Sequence, residues 1–289
     1  MPAIYDAWAF LDGLTAPEVV SFAKKVEAWG YRALWIPEAI GREPFAISAH
    51  VLANTTKLTM ATGIANIYAR GALTTRAAQE TLNEQSGGRF LLGLGVSHIP
   101  LVEGVRKIAY GKPVASMRAY LEEMDAQAYQ APAPAQKPKR VLAALGPKML
   151  ELARTHADGA HPYNVTPEHT ARARKILGPD KLLCVEQKVL LETDPAKARA
   201  IARQTLGIYL TLPNYTNNLK TLGFTDADCT DASDRLMDAM VAWGTESQIA
   251  ARLKAHSDAG ASHVCIQPLN PDGSPKPDER ILKALAPAG

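Results

Sequence analysis

The chain predicts an α/β fold, a (β/α)8 TIM barrel carrying insertions, and three observations predict it. Short apolar runs of β type alternate with longer amphipathic stretches along the whole length. A helical stretch separates each strand-like run from the next, as parallel strands require. About eight such units fall within 289 residues, and a repeat of that kind over about 250 residues closes into a barrel. An open doubly wound sheet is the alternative. Residues 1–289 read as one domain.

Ile4 to Phe10 reads as the first strand. Thr15 caps the helix after it, with Pro17 in the first turn and Glu18 placed to favour the helix dipole. Val19, Val20, Ala23, Val26 and Ala28 give that helix an apolar side, and Gly30 ends it in the left-handed conformation glycine tolerates. Ala33 to Ile36 is the second strand, stopped by Pro37, and Pro44 opens a helix through Leu52. Leu58 to Ile64 is the third strand, and the helix Leu73 to Gln85 closes at Gly87-Gly88. Phe90 to Leu94 is the fourth strand.

The rhythm then loosens. Ile99 to Pro113 reads as a loop or irregular insertion, Val114 to Gln127 as a helix, and the Pro- and Ala-rich Ala131 to Pro138 as an exposed connector. Strands five, six and seven are Arg140 to Leu145, Gly159 to Pro162 and Leu182 to Glu192. Their helices are Pro147 to His156, Pro167 to Leu177 and Pro195 to Leu210. Pro213 to Met240 reads as an insertion of short helices, and Thr245 caps a helix to Ala259. The last strand is Ser262 to Gln267 and the last helix Asp278 to Leu285.

Composition narrows the class. Hydrophobic residues make up 47% of the chain, enough for a large core, and the net charge is only +3. The basic residues are scattered in short clusters, whereas nucleic-acid binding wants a concentrated stripe. No apolar run approaches the roughly 18 residues of a membrane span, and Met1 to Leu14 lacks a signal-peptide pattern. The three cysteines, Cys184, Cys229 and Cys265, form no C-x-x-C and are odd in number, which fits a reducing compartment and a cytoplasmic location.

Several motifs fail. Gly93-Leu94-Gly95-Val96-Ser97-His98 has His where the dinucleotide fingerprint needs its last glycine. Gly111-Lys112 is followed by Pro113, which rules out a phosphate-binding P-loop. The seven histidines show no zinc spacing, and no serine sits in G-x-S-x-G.

In a barrel, the residues just after each strand share one pocket. This places Glu38 after strand two, Asn66 after strand three, Ser97 and His98 after strand four, and Gly146, Pro147, Lys148 and Met149 after strand five. His161 and Tyr163 fall at the end of strand six and Gln267 at the end of strand eight. Gly146-Pro147-Lys148 reads either as an anion site at a helix N-terminus or as an ordinary helix start with a surface lysine. Gly63 and Gly95 read either as close-approach points for a flat ligand or as bends. Glu38 and His98 are the candidate acid–base pair, with a salt-bridge role as the plainer reading of Glu38. Trp29, Trp35 and Trp243 read as core, and Trp8 as core or stacking platform.

At these residues the chain resembles a known family. Tyr31-Arg32-Ala33-Leu34-Trp35-Ile36-Pro37-Glu38, Gly88-Arg89-Phe90-Leu91-Leu92-Gly93-Leu94-Gly95, Ala144-Leu145-Gly146-Pro147-Lys148-Met149 and Ala157-Asp158-Gly159-Ala160 resemble, in order, the segments of the luciferase-like monooxygenase superfamily. Ala61 to Arg70, Gly95 to Glu103 and Pro213-Asn214-Tyr215 are similar to its branch that uses the deazaflavin coenzyme F420. The resemblance implies an oxidoreductase, commonly a homodimer, that passes a hydride between F420 and a small organic substrate. It implies a ring-binding wall of Gly63, Ile64, Ala65, Asn66, Gly95 and Ser97, with a non-proline cis bond at Gly63–Ile64. It also implies a phosphate seat at Gly146, Pro147, Lys148 and Met149. FMN with a partner reductase is the alternative cofactor reading, and a non-catalytic flavin-binding barrel the alternative of another class. The chain departs from the deazaflavin sugar-phosphate dehydrogenases, because Ala39, not His, follows Glu38, and His98 replaces a glutamate. Their substrate and acid–base assignment therefore do not carry over.

Overall fold

The computed structural model describes residues 3–126 and 128–287. Its first strand, β1 (Ile4–Trp8), leads through α1 (Ala16–Ala28) to β2 (Ala33–Ile36), and α2 (Pro44–Asn54) leads to β3 (Thr59–Thr62). A short β4 (Ala65–Asn66) follows directly, then α3 (Ala72–Ser86), β5 (Phe90–Gly95), α4 (Pro113–Ala126), β6 (Arg140–Leu142) and α5 (Pro147–His156). The chain continues with β7 (Gly159–Ala160), α6 (Pro167–Leu177), β8 (Leu182–Leu190) and α7 (Pro195–Leu210). Three short helices, α8 (Pro213–Lys220), α9 (Asp226–Thr230) and α10 (Asp234–Met240), precede β9 (Val241–Trp243). The last elements are α11 (Glu246–Asp258), β10 (His263–Pro268) and α12 (Glu279–Ala284).

The strands close into a ring. β1, β2, β3, β5, β6, β7 and β8 pair in sequence, and β10 bridges β8 back to β1. All these pairs are parallel, with Ile4 opposite His263 at one seam and His263 opposite Cys184 at the other. This is a closed (β/α)8 barrel, as the sequence predicts.

The predicted helix signals act as written. Glu18 Oε2 accepts from Thr15 N at 2.7 Å, and Gln248 N donates to Thr245 Oγ1. Gly30 and Gly87 take φ of 84° and 66°. The helix expected to reach Gln127 runs to Ala126, and Gln127 lies outside the described residues.

The first, sixth and seventh strands each end two residues early, at Trp8, Ala160 and Leu190, and other details differ from expectation. The third strand breaks at the cis Gly63–Ile64 bond, and β4 beyond it pairs with β5 through Ala65–Leu94 and Asn66–Gly95. The fifth strand ends at Leu142, three residues short of its predicted limit. The stretch expected to be irregular contains a π-helical turn, Pro100–Val105. β9 was not expected, because three residues behind a helix carry no readable period; it extends the edge of β8 as a branch outside the ring.

Most of the core lies between the barrel and its helices. Inside the barrel sits a smaller cluster containing Trp8, Ala33, Trp35, Ala61, Val141, Cys184 and Cys265. The three cysteines are free and buried.

Candidate active site

The C-terminal ends of the strands enclose a cavity of about 750 Å³, within the range of ligand sites. Glu38, Gly63, Ile64, Gly95, Ser97, His98, Gly146, Pro147, Lys148 and Met149 all line it. Ala65 and Asn66 do not: both are buried beside it. Asn66 is turned to local work, its Oδ1 accepting from Tyr68 N at 2.9 Å and its own N–H donating to Glu38 Oε2 at 2.7 Å.

One wall, from β3 to the start of α5, is largely aliphatic and interrupted by glycines. The cis Gly63–Ile64 bond presents Ile64 to the cavity opposite Gly95. A Cβ on Gly95 would collide with the Ile64 side chain, so glycine there keeps β4 and β5 close. At the far end of this wall Gly146 caps α5 with Pro147 in its first turn. Met149 and Leu150 N–H groups return to the Gly146 carbonyl at 3.2 and 3.1 Å. Proline brings no N–H, so the anion-binding capacity of this helix start rests mainly on the exposed Lys148.

Glu38 has both oxygens occupied. Arg70 grips them in a bidentate pair at 2.9 and 2.6 Å, and Arg106 reaches Oε1 at 3.5 Å. Arg106 also donates to the Ala39 carbonyl at 3.0 Å. The carboxylate thus ties the segment after β5 to the segments after β2 and β4. Its side chain is only 6% exposed, which makes this ion pair stronger than a surface one.

His98 follows β5 after Ser97, which adopts φ 55° and turns the chain outward. The His98 carbonyl accepts from Leu101 and Val102 N–H, both at 3.0 Å, and so starts the π-helical turn. Its ring lies 5.5 Å from Tyr215. Burial lowers its pKa below the ordinary value, with a hydrogen bond to Asn214 opposing.

The opposite wall is aromatic and polar. Tyr163, Tyr209 and Tyr215 converge from three elements, with Tyr163 and Tyr209 hydroxyls 3.1 Å apart and Tyr163 donating to Gln267 Oε1 at 2.9 Å. Burial raises all three phenols above their ordinary range. Beneath them the fully buried Lys188 places its ammonium 3.9 Å from the Tyr163 ring centre and 3.2 Å from Glu186. Asn164, itself at φ 55°, accepts from the same ammonium at 2.5 Å and donates its N–H to Glu186 at 3.1 Å. Burial pulls Lys188 down and Glu186 up, and their attraction opposes both.

His161 and Tyr163 sit at the strand end where the sequence puts them. The buried Glu186–Lys188 pair was missed, although two charges at alternate positions of an apolar strand were a readable sign that one face turns inward. Tyr209 lay in a predicted helix and Tyr215 in an insertion without periodicity, so nothing in the pattern aimed either at the cavity. Among the described residues no cluster of His, Cys, Asp and Glu could hold a metal ion.

The comparisons with known proteins agree with this architecture. The 5,10-methylenetetrahydromethanopterin reductase of Methanolobus tindarius is 26% identical over 300 residues, covering 88% of this chain and 91% of the reductase. An F420-dependent secondary alcohol dehydrogenase, solved with an F420–acetone adduct, superposes with a TM-score of 0.77 at 12% identity, covering 99% of this chain and 97% of that one. The oxygenating constituent of 3,6-diketocamphane monooxygenase from Pseudomonas putida, solved with FMN, superposes at a TM-score of 0.69 and 11% identity, covering 97% and 96%. At such identities the two structures show the fold alone. The sequence profile described as luciferase-like monooxygenase matches residues 8–263, and the chain therefore belongs to that family, as an enzyme of the oxidoreductase class.

Proposed function

We propose that the chain is a deazaflavin-dependent oxidoreductase, binding coenzyme F420 and moving a hydride between it and a small, largely apolar substrate. The observation that carries this reading is the single cavity wall shared by Gly63–Ile64, Gly95 and the start of α5. That wall offers a flat, crowded surface for a ring at one end and a cationic helix start for a phosphate at the other. The near-full-length similarity to the 5,10-methylenetetrahydromethanopterin reductase of Methanolobus tindarius supports an oxidoreductase of this kind.

The residues present fit such a coenzyme. Ile64 and Gly95 would face its ring, and Lys148 with the α5 terminus would hold its phosphate. The bound coenzyme supplies the hydride chemistry, and the protein supplies orientation, electrostatics and exclusion of water. His98 would exchange the proton that accompanies the hydride, since its ring lines the cavity and burial favours the neutral form that can accept one. Glu38 would position: its carboxylate braces the wall through Arg70 and Arg106 and has no free oxygen for proton transfer.

Titration with F420 and with FMN, followed by fluorescence quenching, tests the reading. Tight F420 binding with weak FMN binding is expected. The reverse order would sink it and favour an FMN-dependent monooxygenase, a reading that the FMN-bound diketocamphane fold also supports.

A further inference from the structure

We propose that the buried Glu186–Lys188 pair is a positioning device, which holds the Tyr163 and Tyr209 rings as a pre-formed wall for an uncharged ring of the substrate. The proposal rests on the reading above that this cavity is the active site, and it names the part of the substrate that the aromatic side takes.

Glu186 and Lys188 stand two residues apart on β8, so their side chains leave the same face of the strand. Cys184, on that face, belongs to the cluster inside the barrel. Each charged side chain is 1% exposed. The ammonium donates to Asn164 Oδ1 at 2.5 Å and to Glu186 Oε1 at 3.2 Å. It also lies 3.9 Å from the centre of the Tyr163 ring and 5.3 Å from that of Tyr209. A desolvated cation attracts an aromatic face more strongly than an exposed one.

Asn164 grips both members of the pair. Its side chain accepts from Lys188, and its backbone N–H donates to Glu186 Oε2 at 3.1 Å. It is also the residue bonded to Tyr163. The Tyr163 ring is therefore set by its chain neighbour, by the ammonium over the ring and by Trp8 at 5.3 Å. Its hydroxyl donates to Gln267 Oε1 at 2.9 Å, with the Tyr209 hydroxyl 3.1 Å away.

Fold stability does not account for this arrangement. Well-packed apolar side chains serve a protein interior as well as a buried ion pair, or better. Asn164 Nδ2 is also buried with no partner among the described residues, a further cost. These costs are gathered directly behind the side of the cavity that Trp8, Tyr163, Tyr209 and Tyr215 line. None of those four side chains is an acid or a base of the ordinary charged kind, so that side presents ring surface with its charges kept behind it. Such a surface suits an uncharged ring, and a wall fixed before binding has less freedom to lose on binding.

The test combines Glu186→Gln with Lys188→Met, which removes both charges and keeps an acceptor for the Asn164 N–H. The probe is benzyl alcohol, titrated by calorimetry beside F420 titration and thermal unfolding. The wild-type protein is expected to bind benzyl alcohol, and the paired variant to bind it about tenfold more weakly. F420 affinity should stay within about twofold, and the melting temperature should not fall by more than a few degrees. A purely structural pair would lower the melting temperature and weaken both ligands together, and that result overturns the proposal. Unchanged benzyl alcohol affinity, or no binding to the wild type, overturns it too. A measurement on the wild type decides the matter if the paired variant does not fold. The two edges of the Tyr163 ring, identified with Tyr163→Phe in 13C-labelled protein, should give separate resonances because the ring turns slowly. One averaged resonance overturns the proposal. Benzyl alcohol binding that behaves as expected without F420 binding removes the coenzyme reading alone. F420 binding with unchanged benzyl alcohol affinity removes the positioning role alone.

Discussion

The cavity has two walls of opposite construction. From β3 to α5 the lining is mostly aliphatic, with Ile64, Val96, Ile99 and Leu101 among glycines and prolines. From β7 through α8, and across to β1, the lining is tyrosine, tryptophan and histidine, underlain by a buried ion pair. The first wall offers apolar surface with few polar side-chain atoms apart from Ser97, His98, Tyr110 and Lys148. The second holds its specificity in side-chain atoms, each supported by another: Trp35 beneath His161, Lys188 beneath Tyr163.

The largest way to break this contrast is to remove the support beneath the aromatic wall. Glu186→Ala leaves Lys188 buried with only Asn164 as a polar partner and is expected to cost about 3–5 kcal/mol of stability. Urea unfolding measures it. A loss under about 1 kcal/mol would mean that the pair is not a desolvated one. Next comes the edge where the walls meet. His98→Ala should lower kcat about a hundredfold with any substrate that supports turnover, while F420 affinity stays within about twofold. A parallel loss of F420 affinity would move His98 from the reacting side to the coenzyme wall.

The pH dependence of folding separates the regions further. His161 and His256 have folded-state pKa values lowered to about 4 and about 3. The unfolded chain therefore binds more protons between those values and about 6.5, and stability falls as pH drops through that window. Each histidine should contribute a loss of about 2 kcal/mol by pH 5. His161→Phe should remove about half of that slope in denaturant titrations at pH 7 and pH 5, and an unchanged slope would refute the assignment. The smallest effect lies on the aliphatic wall. Lys148→Ala should weaken F420 about fivefold, and the loss should shrink at high salt because Lys148 is exposed.

The same division explains what could be read from the sequence. The barrel was legible because its alternation spans the chain and its helix signals are local: a threonine with its glutamate three residues on, a glycine where φ turns positive. Ten of the residues singled out from the sequence line the cavity because they lie at or shortly after strand ends, and strand ends are countable. Asn66 shows the limit, since it follows the strand as expected but lies beside the cavity, with its Oδ1 accepting from Tyr68 N. Glu38 shows another, as its partners Arg70 and Arg106 come from segments with no periodic mark. The aromatic wall was largely illegible because its parts meet only through tertiary folding. Trp8 and His161 are 153 positions apart in the numbering, and no local pattern brings them to one cavity.

The seam between β1 and β10 has a consequence in time. Ile4 pairs with His263, so the ring cannot close until the chain through β10 has left the ribosome. Until then β1 exposes an unpaired, largely apolar edge, the kind of surface on which misassembly starts. Trp8 rides on that strand. The pocket is therefore among the last features to take shape during synthesis, and a product truncated before β10 would lack both a closed wall and a settled place for Trp8.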